Sequence, residues 1–113
     1  MKLPPESIIA SSKVTGYLLA FQKKNDKSRF LARAGYDASH ADRLICDLRE
    51  QILPCEAEEL ECTEYGQYYQ IVAPLTGPNG RTLHVRTIWM KEHLSQRTKF
   101  ITLIPDGSRN HEI

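Results

Sequence analysis

An α+β fold, with N-terminal helices packed on one face of a C-terminal four-stranded antiparallel sheet, follows from two features of the 113-residue sequence. Apolar residues recur at three- and four-residue intervals as far as Pro54, and beyond it the period falls toward two while β-forming residues dominate. The later segments are joined by short turn signals, and hairpin connections make neighbouring strands antiparallel. A chain of this length is expected to hold one hydrophobic core, so residues 1–105 read as a single domain followed by a polar tail over 106–113.

Taking the elements in order, Ser11 or Ser12 caps a first helix that carries Val14, Tyr17, Leu18 and Phe21 along one side. The polar run from Gln22 to Asp26 reads as a loop. A short helix from about Lys27 to Ala34 then buries Phe30, Leu31 and Ala34, and Gly35 stops it in left-handed backbone. Asp37 or Ser39 caps a third helix with the stripe Ala41, Leu44, Ile45, Leu48 and Ile52, ended by Pro54. Arg43, Asp47, Arg49 and Glu50 fall largely off that stripe and are expected in solvent, and Cys46 reads as a small core side chain.

The stretch from Glu58 to Tyr65 holds enough glutamates to be an edge strand whose charges discourage further pairing. Tyr68 to Leu75 is a firmer strand. Thr76-Gly77-Pro78-Asn79-Gly80 is the strongest turn signal in the chain, and Arg81 to Lys91 returns as the partner strand. Lys99 to Ile104 is the last strand. Tyr65, Tyr68 and Tyr69 straddle both strand faces, so at least one belongs to the core while the others could stack on bases.

Composition excludes several function classes. A net charge of +1 gives no global field for nucleic acid and no polybasic membrane anchor, so any basic site must be local. No apolar run approaches the roughly 18 residues that span a bilayer, and the start of the chain does not resemble a signal peptide. Cys46, Cys55 and Cys62 are odd in number and match no zinc spacing, which predicts reduced thiols in a cytoplasm, with a Cys55–Cys62 disulfide as the alternative. There is no Gly-rich phosphate loop and no Gly-x-Ser-x-Gly elbow, and His40, His84, His93 and His111 are scattered, so neither a cofactor nor a metal is expected.

Residues with chemical potential emerge from strand parity. In the hairpin strand, Leu83, Val85, Thr87 and Trp89 point one way, and His84, Arg86, Ile88 and Met90 the other. Assigning the more apolar set to the core leaves His84 and Arg86 facing water, where neighbouring strands could add Thr102 and either Gln70 or Tyr68. Those types suit phosphodiester chemistry: a histidine moves a proton near neutrality, an arginine stabilises phosphate charge, and hydroxyls orient the group. Simple solvation of alternate polar residues produces the same pattern. Lys23, Lys24, Lys27, Arg29 and Arg33 form a basic run that either grips a nucleic-acid backbone or is a plain charged loop.

The chain also resembles an uncharacterised bacterial domain family, the DUF6883 type, over nearly its full length. The matching motifs are Lys2-Leu3-Pro4, Tyr17-Leu18-Leu19, Lys27-Ser28-Arg29-Phe30, Tyr65-Gly66, Gly77-Pro78-Asn79-Gly80-Arg81, Arg86-Thr87-Ile88-Trp89 and Thr102. Arg97 matches an arginine that the family pattern carries shortly before the last strand, although Gln96 stands where a proline is often expected. Such domains look similar in architecture to small bacterial ribonuclease toxins, which place dispersed basic and hydroxyl residues on an open sheet face. The resemblance implies a metal-independent ribonuclease-like toxin acting on RNA phosphodiesters, with His84, Arg86 and Thr102 catalytic and Lys27, Arg29, Arg81 and Arg97 binding substrate. The alternative is a non-catalytic module, such as an antitoxin, immunity protein or phage-encoded inhibitor. It would set Glu50, Glu56, Glu58, Glu59, Glu61 and Glu64 against a basic protein partner.

Overall fold

The computed structural model of the chain describes residues 1–19 and 27–106, with Tyr17 in its backbone only. The expectations placed on Tyr17 as a packing side chain, on Phe21, on the loop 22–26 with Lys23 and Lys24, and on the tail 107–113 lie outside the described residues.

Helical elements come first in the chain and strands second, an α+β arrangement. Helix α1 (Ser11–Lys13) continues into a wider π-type turn, Val14–Leu18, and buries Val14 and Leu18. Helix α2 (Ser28–Ala32) buries Phe30 and Leu31 and runs into a turn closed by Gly35 at φ 93°. Asp37 then caps the next element: its carboxylate accepts the Ser39 N–H at 2.8 Å, while its own N–H donates to His40 Nδ1. A 3-10 turn (Ala38–His40), helix α3 (Ala41–Asp47) and a second π-type turn (Leu48–Ile52) follow as one rod. Leu44, Leu48 and Ile52 are fully buried along it, as the helical period requires.

Two expectations about this rod are corrected. Cys46 is exposed, because it stands two residues past Leu44, on the far side of the helix from the buried stripe. Asp47 is buried rather than solvated. It lies three residues from Leu44, on the stripe itself, and its charge is held by Tyr36 Oη at 2.5 Å and Arg43 Nε at 2.9 Å. Burial first, and then this carboxylate, push the Tyr36 hydroxyl well above the ordinary tyrosine range. The three thiols are free.

The sheet is four-stranded and antiparallel in the order β1 (Glu58–Cys62), β2 (Gly66–Thr76), β3 (Thr82–Glu92) and β4 (Thr98–Pro105). On β3 the odd positions Leu83, Val85, Thr87 and Trp89 are buried, and they join Tyr69, Ile71, Ala73, Leu75, Phe100 and Leu103 in facing the helical side chains of the core. Trp89 is fully buried and meets Phe100 edge to face with ring centroids 5.3 Å apart. Its indole N–H donates to Thr87 Oγ1 at 2.8 Å, and that hydroxyl donates to the Ile71 carbonyl at 3.1 Å.

The glycine-rich hairpin between β2 and β3 is more than a turn. A Cβ on Gly77 would meet the Ala34 carbonyl oxygen at 2.2 Å, and the Asn79 N–H donates to that same oxygen. Asn79 Nδ2 adds a bond to the Arg33 carbonyl at 3.1 Å. The hairpin is therefore the seat on which the end of α2 docks. The N-terminal segment in turn lies against β4: Ile8 bridges Lys99 in parallel, and Arg49 Nη1 ties down the Pro5 and Ser7 carbonyls. Asp106, expected in the polar tail, is buried, and its N–H donates to the His84 carbonyl at 2.9 Å.

Candidate functional site

Directly paired residues on adjacent strands share a face of the sheet. The continuous β2–β3 register therefore places Tyr68, Gln70, Val72 and Pro74 beside Met90, Ile88, Arg86 and His84, away from Trp89. His84, Arg86, Ile88, Tyr68 and Gln70 are half-buried there, in contrast to the sealed inner positions. The imidazole of His84 and the guanidinium of Arg86 rise from one strand about 7 Å apart at the backbone.

Two register shifts complete the face. Between Glu59 and Cys62, β1 spends one residue more than β2, since Glu59 pairs with Tyr69 but Cys62 with Gln67. Across the step from Trp89 to Ile88, β4 likewise spends one residue more than β3, moving from Phe100 to Thr102. A bulge of one residue moves every later side chain to the opposite face. Counted straight from the turns, Glu58 would oppose Ile71 and Thr102 would oppose Thr87, both on the inner face. The bulges instead align Glu58, Gln70, Ile88 and Thr102 as one row across the outer face.

That row carries a hydrogen-bond chain. Arg86 Nη1 donates to Gln70 Oε1 at 2.5 Å, and Gln70 Nε2 donates to Glu58 Oε1 at 2.8 Å. One of the five guanidinium donors is thereby oriented, and among the described residues this is the side-chain bond that holds it. At the other end of the row, Thr102 Oγ1 is buried with no hydrogen-bond partner among the described residues. Leaving such a group unpaired costs about 1–3 kcal/mol. It lines a cavity of about 410 Å³ together with Ser12, Lys13, Lys27, Ile101 and Ile104. Lys27 is buried in spite of its charge. Further along the same face, Lys99 Nζ and the Glu92 carboxylate pair at 3.0 Å, and this bond, aided by Ser95, holds the Glu92 carboxyl below the usual carboxylate range.

The residues singled out from sequence are thus divided. His84, Arg86 and Thr102 share the outer face, and Lys27 reaches it through the Thr102 cavity. Arg29 is exposed on α2, and Arg81 is exposed in the hairpin with its N–H on Asn79 Oδ1 at 2.9 Å. Arg97 does not join them. Its carbonyl accepts the Glu92 N–H, eight residues along β3 from His84, which is roughly 27 Å away. There it lines a separate cleft with Pro4, Glu6, Ser7 and Ile8. Glu58, which sequence reasoning placed only on an acidic edge, is the residue it missed at this site. Parity gives a side chain's face only once the register is known, and the bulge in β1 hides the register from any count made at the turn.

Among the described residues, no group of three or more His, Cys, Asp or Glu side chains gathers to hold a metal ion, and no helix is long and apolar enough to cross a membrane. No curated protein and no solved structure matches the chain. A match of residues 3–107 to the family described as Domain of unknown function (DUF6883), in keeping with the motifs from Lys2 to Thr102, shows that the chain belongs to that family.

Proposed function

We propose that the outer face of the sheet cleaves RNA phosphodiesters without a metal ion, as a small ribonuclease-like toxin would. The observation that carries this reading is the pair of edge-strand bulges. They spend one residue each to bring Glu58 and Thr102 onto the face that already holds His84 and Arg86, and bulges commonly serve to re-aim a side chain at a working site.

The roles follow from the chemistry of each group. The ribose 2′-oxygen attacks phosphorus and its proton passes to the His84 imidazole. The bond from phosphorus to the 5′-oxygen breaks, the departing oxygen takes a proton from water, and a 2′,3′-cyclic phosphate remains. Arg86 neutralises the charge that grows on the phosphoryl oxygens, and Gln70, braced by Glu58, holds the guanidinium in place. Lys27 and Thr102 bind the strand beside the reacting phosphate. The test is incubation of the purified protein with single-stranded RNA in excess chelator: the wild type yields cyclic-phosphate ends, and His84→Ala and Arg86→Ala do not while keeping their fold. RNA left intact by a folded wild type, together with harmless expression in a bacterium, removes the enzyme reading.

One observation favours a second reading. Every residue of β1 is exposed, no strand among the described residues pairs with its outer edge, and Glu58, Glu59 and Glu61 all stand on it. Such a strand suits a basic protein partner, as in an antitoxin, immunity protein or phage-encoded inhibitor. Retention of a stable partner that is lost on Glu59→Lys, with no effect of the protein on RNA, would select this reading over the first.

A further inference from the structure

We infer that the cleft between the N-terminal segment and the start of β4 binds a free α-amino acid as its zwitterion, one with a small apolar side chain. The cleft lies apart from the outer face, and the inference does not rest on the phosphodiester reading.

The cleft has a volume of about 430 Å³, within the range of roughly 300–1,000 Å³ that small-molecule sites occupy. Its two walls offer opposite hydrogen-bonding groups. One wall is the segment from Pro4 to Ile8, held on β4 by the Ile8 N–H to the Thr98 carbonyl and the Phe100 N–H to the Ile8 carbonyl, both at 2.8 Å. It supplies acceptors: the Glu6 carboxylate, and the Ser7 hydroxyl, whose proton is already given to the Pro4 carbonyl at 2.6 Å. The facing wall supplies donors, the Arg97 guanidinium and the Thr98 hydroxyl.

Two observations indicate that these groups are not satisfied within the chain. Glu6 and Arg97 are exposed charges of opposite sign on one cleft, yet among the described residues no ion pair joins them and none reaches either side chain from elsewhere. Thr98 keeps only 6% of its surface accessible, and its hydroxyl has no hydrogen-bond partner among the described residues. A side-chain hydroxyl buried to that degree ordinarily finds a partner, so an open one on the lining of a cleft points to a partner from outside the chain. The turn that delivers Arg97 is also fixed. Gln96 takes φ 58°, its N–H donates to the Glu92 carbonyl at 2.8 Å, and its Nε2 donates to the His93 carbonyl at 2.8 Å. Left-handed backbone at a residue other than glycine persists where its surroundings hold it.

The charges define what fits between the walls. A simple anion is attracted by Arg97 but repelled by Glu6, and a simple cation meets the reverse. A zwitterion satisfies both: its carboxylate takes the Arg97 fork and the Thr98 O–H, and its ammonium takes the oxygens of Glu6 and Ser7. An α-amino acid carries those two charges on neighbouring carbons, and its side chain meets Pro4 and Ile8, the apolar part of the lining.

The experiment is a titration of the full chain, followed by amide and methyl resonances near neutral pH, with three probes of one shape: L-valine, the anion N-acetyl-L-valine and the cation L-valinamide. The expected result is a saturable shift at Ile8, Arg97 and Thr98 with L-valine, and affinities about tenfold weaker for the other two. Glu6→Gln should erase the preference for L-valine over N-acetyl-L-valine, and Arg97→Gln the preference over L-valinamide. Both positions are exposed, so neither change should move the thermal midpoint. Thr98→Val should weaken L-valine about tenfold, whereas Thr98→Ser, which keeps the hydroxyl, should retain it. No saturable shift with L-valine, equal affinity for all three probes, or preferences unchanged in both charge variants would overturn the inference.

Discussion

The two faces of β3 are made from the same eleven residues and meet opposite fates. On the inner face the polar groups are satisfied within the protein: the Trp89 indole bonds to Thr87, and Thr87 bonds to the Ile71 carbonyl. On the outer face the polar groups form a chain from Arg86 to Glu58 that ends at the surface, and the row finishes at a hydroxyl with no partner among the described residues. A buried face must close its own hydrogen bonds because water cannot reach it, whereas a face that works on a ligand must leave some of them open. The inner set therefore determines whether the sheet forms, and the outer set determines what it can touch.

The sharpest way to break this contrast is at Trp89. Trp89→Ala removes a fully buried ring and its edge contact with Phe100, and should cost about 3–5 kcal/mol in a denaturant melt. A loss below about 1 kcal/mol would mean that the inner face does not carry the fold. Next in size is a change of rate without a change of stability. Arg86→Ala should lower RNA cleavage in chelator about 10²- to 10³-fold while moving the unfolding midpoint little, since the guanidinium is half-buried on the outer side. Glu58→Gln, which weakens the brace on Gln70, should give a smaller loss in the same assay. An unfolded Arg86→Ala would show that the outer chain is structural.

A finer test stays inside the core. Thr87→Val is close in shape but leaves the Trp89 N–H without an acceptor, which should cost about 1–3 kcal/mol; Thr87→Ser restores the acceptor and should recover most of it. The smallest effect concerns pH. The bond from Lys99 lowers the Glu92 carboxyl in the folded state, so its contribution is complete above the unfolded carboxylate value and is lost as pH falls through the lower folded one. Thermal midpoints of the wild type and Glu92→Gln should therefore differ at pH 7 and converge toward pH 3. A gap that widens in acid would reverse the sign.

Much of this was legible without coordinates. The change of period at Pro54, the inward direction of Leu83, Val85, Thr87 and Trp89, the left-handed stop at Gly35 and the Asp37 cap all depend on neighbours within a few residues. Interactions of that range leave their mark in local spacing. The Gly77 to Gly80 signal was legible as a turn, but its role as the seat for the end of α2 was not, because the partner, Ala34, is distant in sequence. Asp47 was misplaced for a different reason: it lies on the buried stripe, and its charge is tolerated there because the Tyr36 hydroxyl, contributed from outside the helix, and Arg43 compensate it.

The sequence by itself determined that His84 and Arg86 share the face opposite Trp89, since a strand alternates sides whatever it pairs with. Only the tertiary structure decided that Glu58 and Thr102 join them. Their faces depend on one extra residue in each edge strand, and nothing in local composition marks where a strand takes up that residue. It is settled when the edge strands are packed against the central pair, by which register buries apolar side chains and leaves charged ones in water.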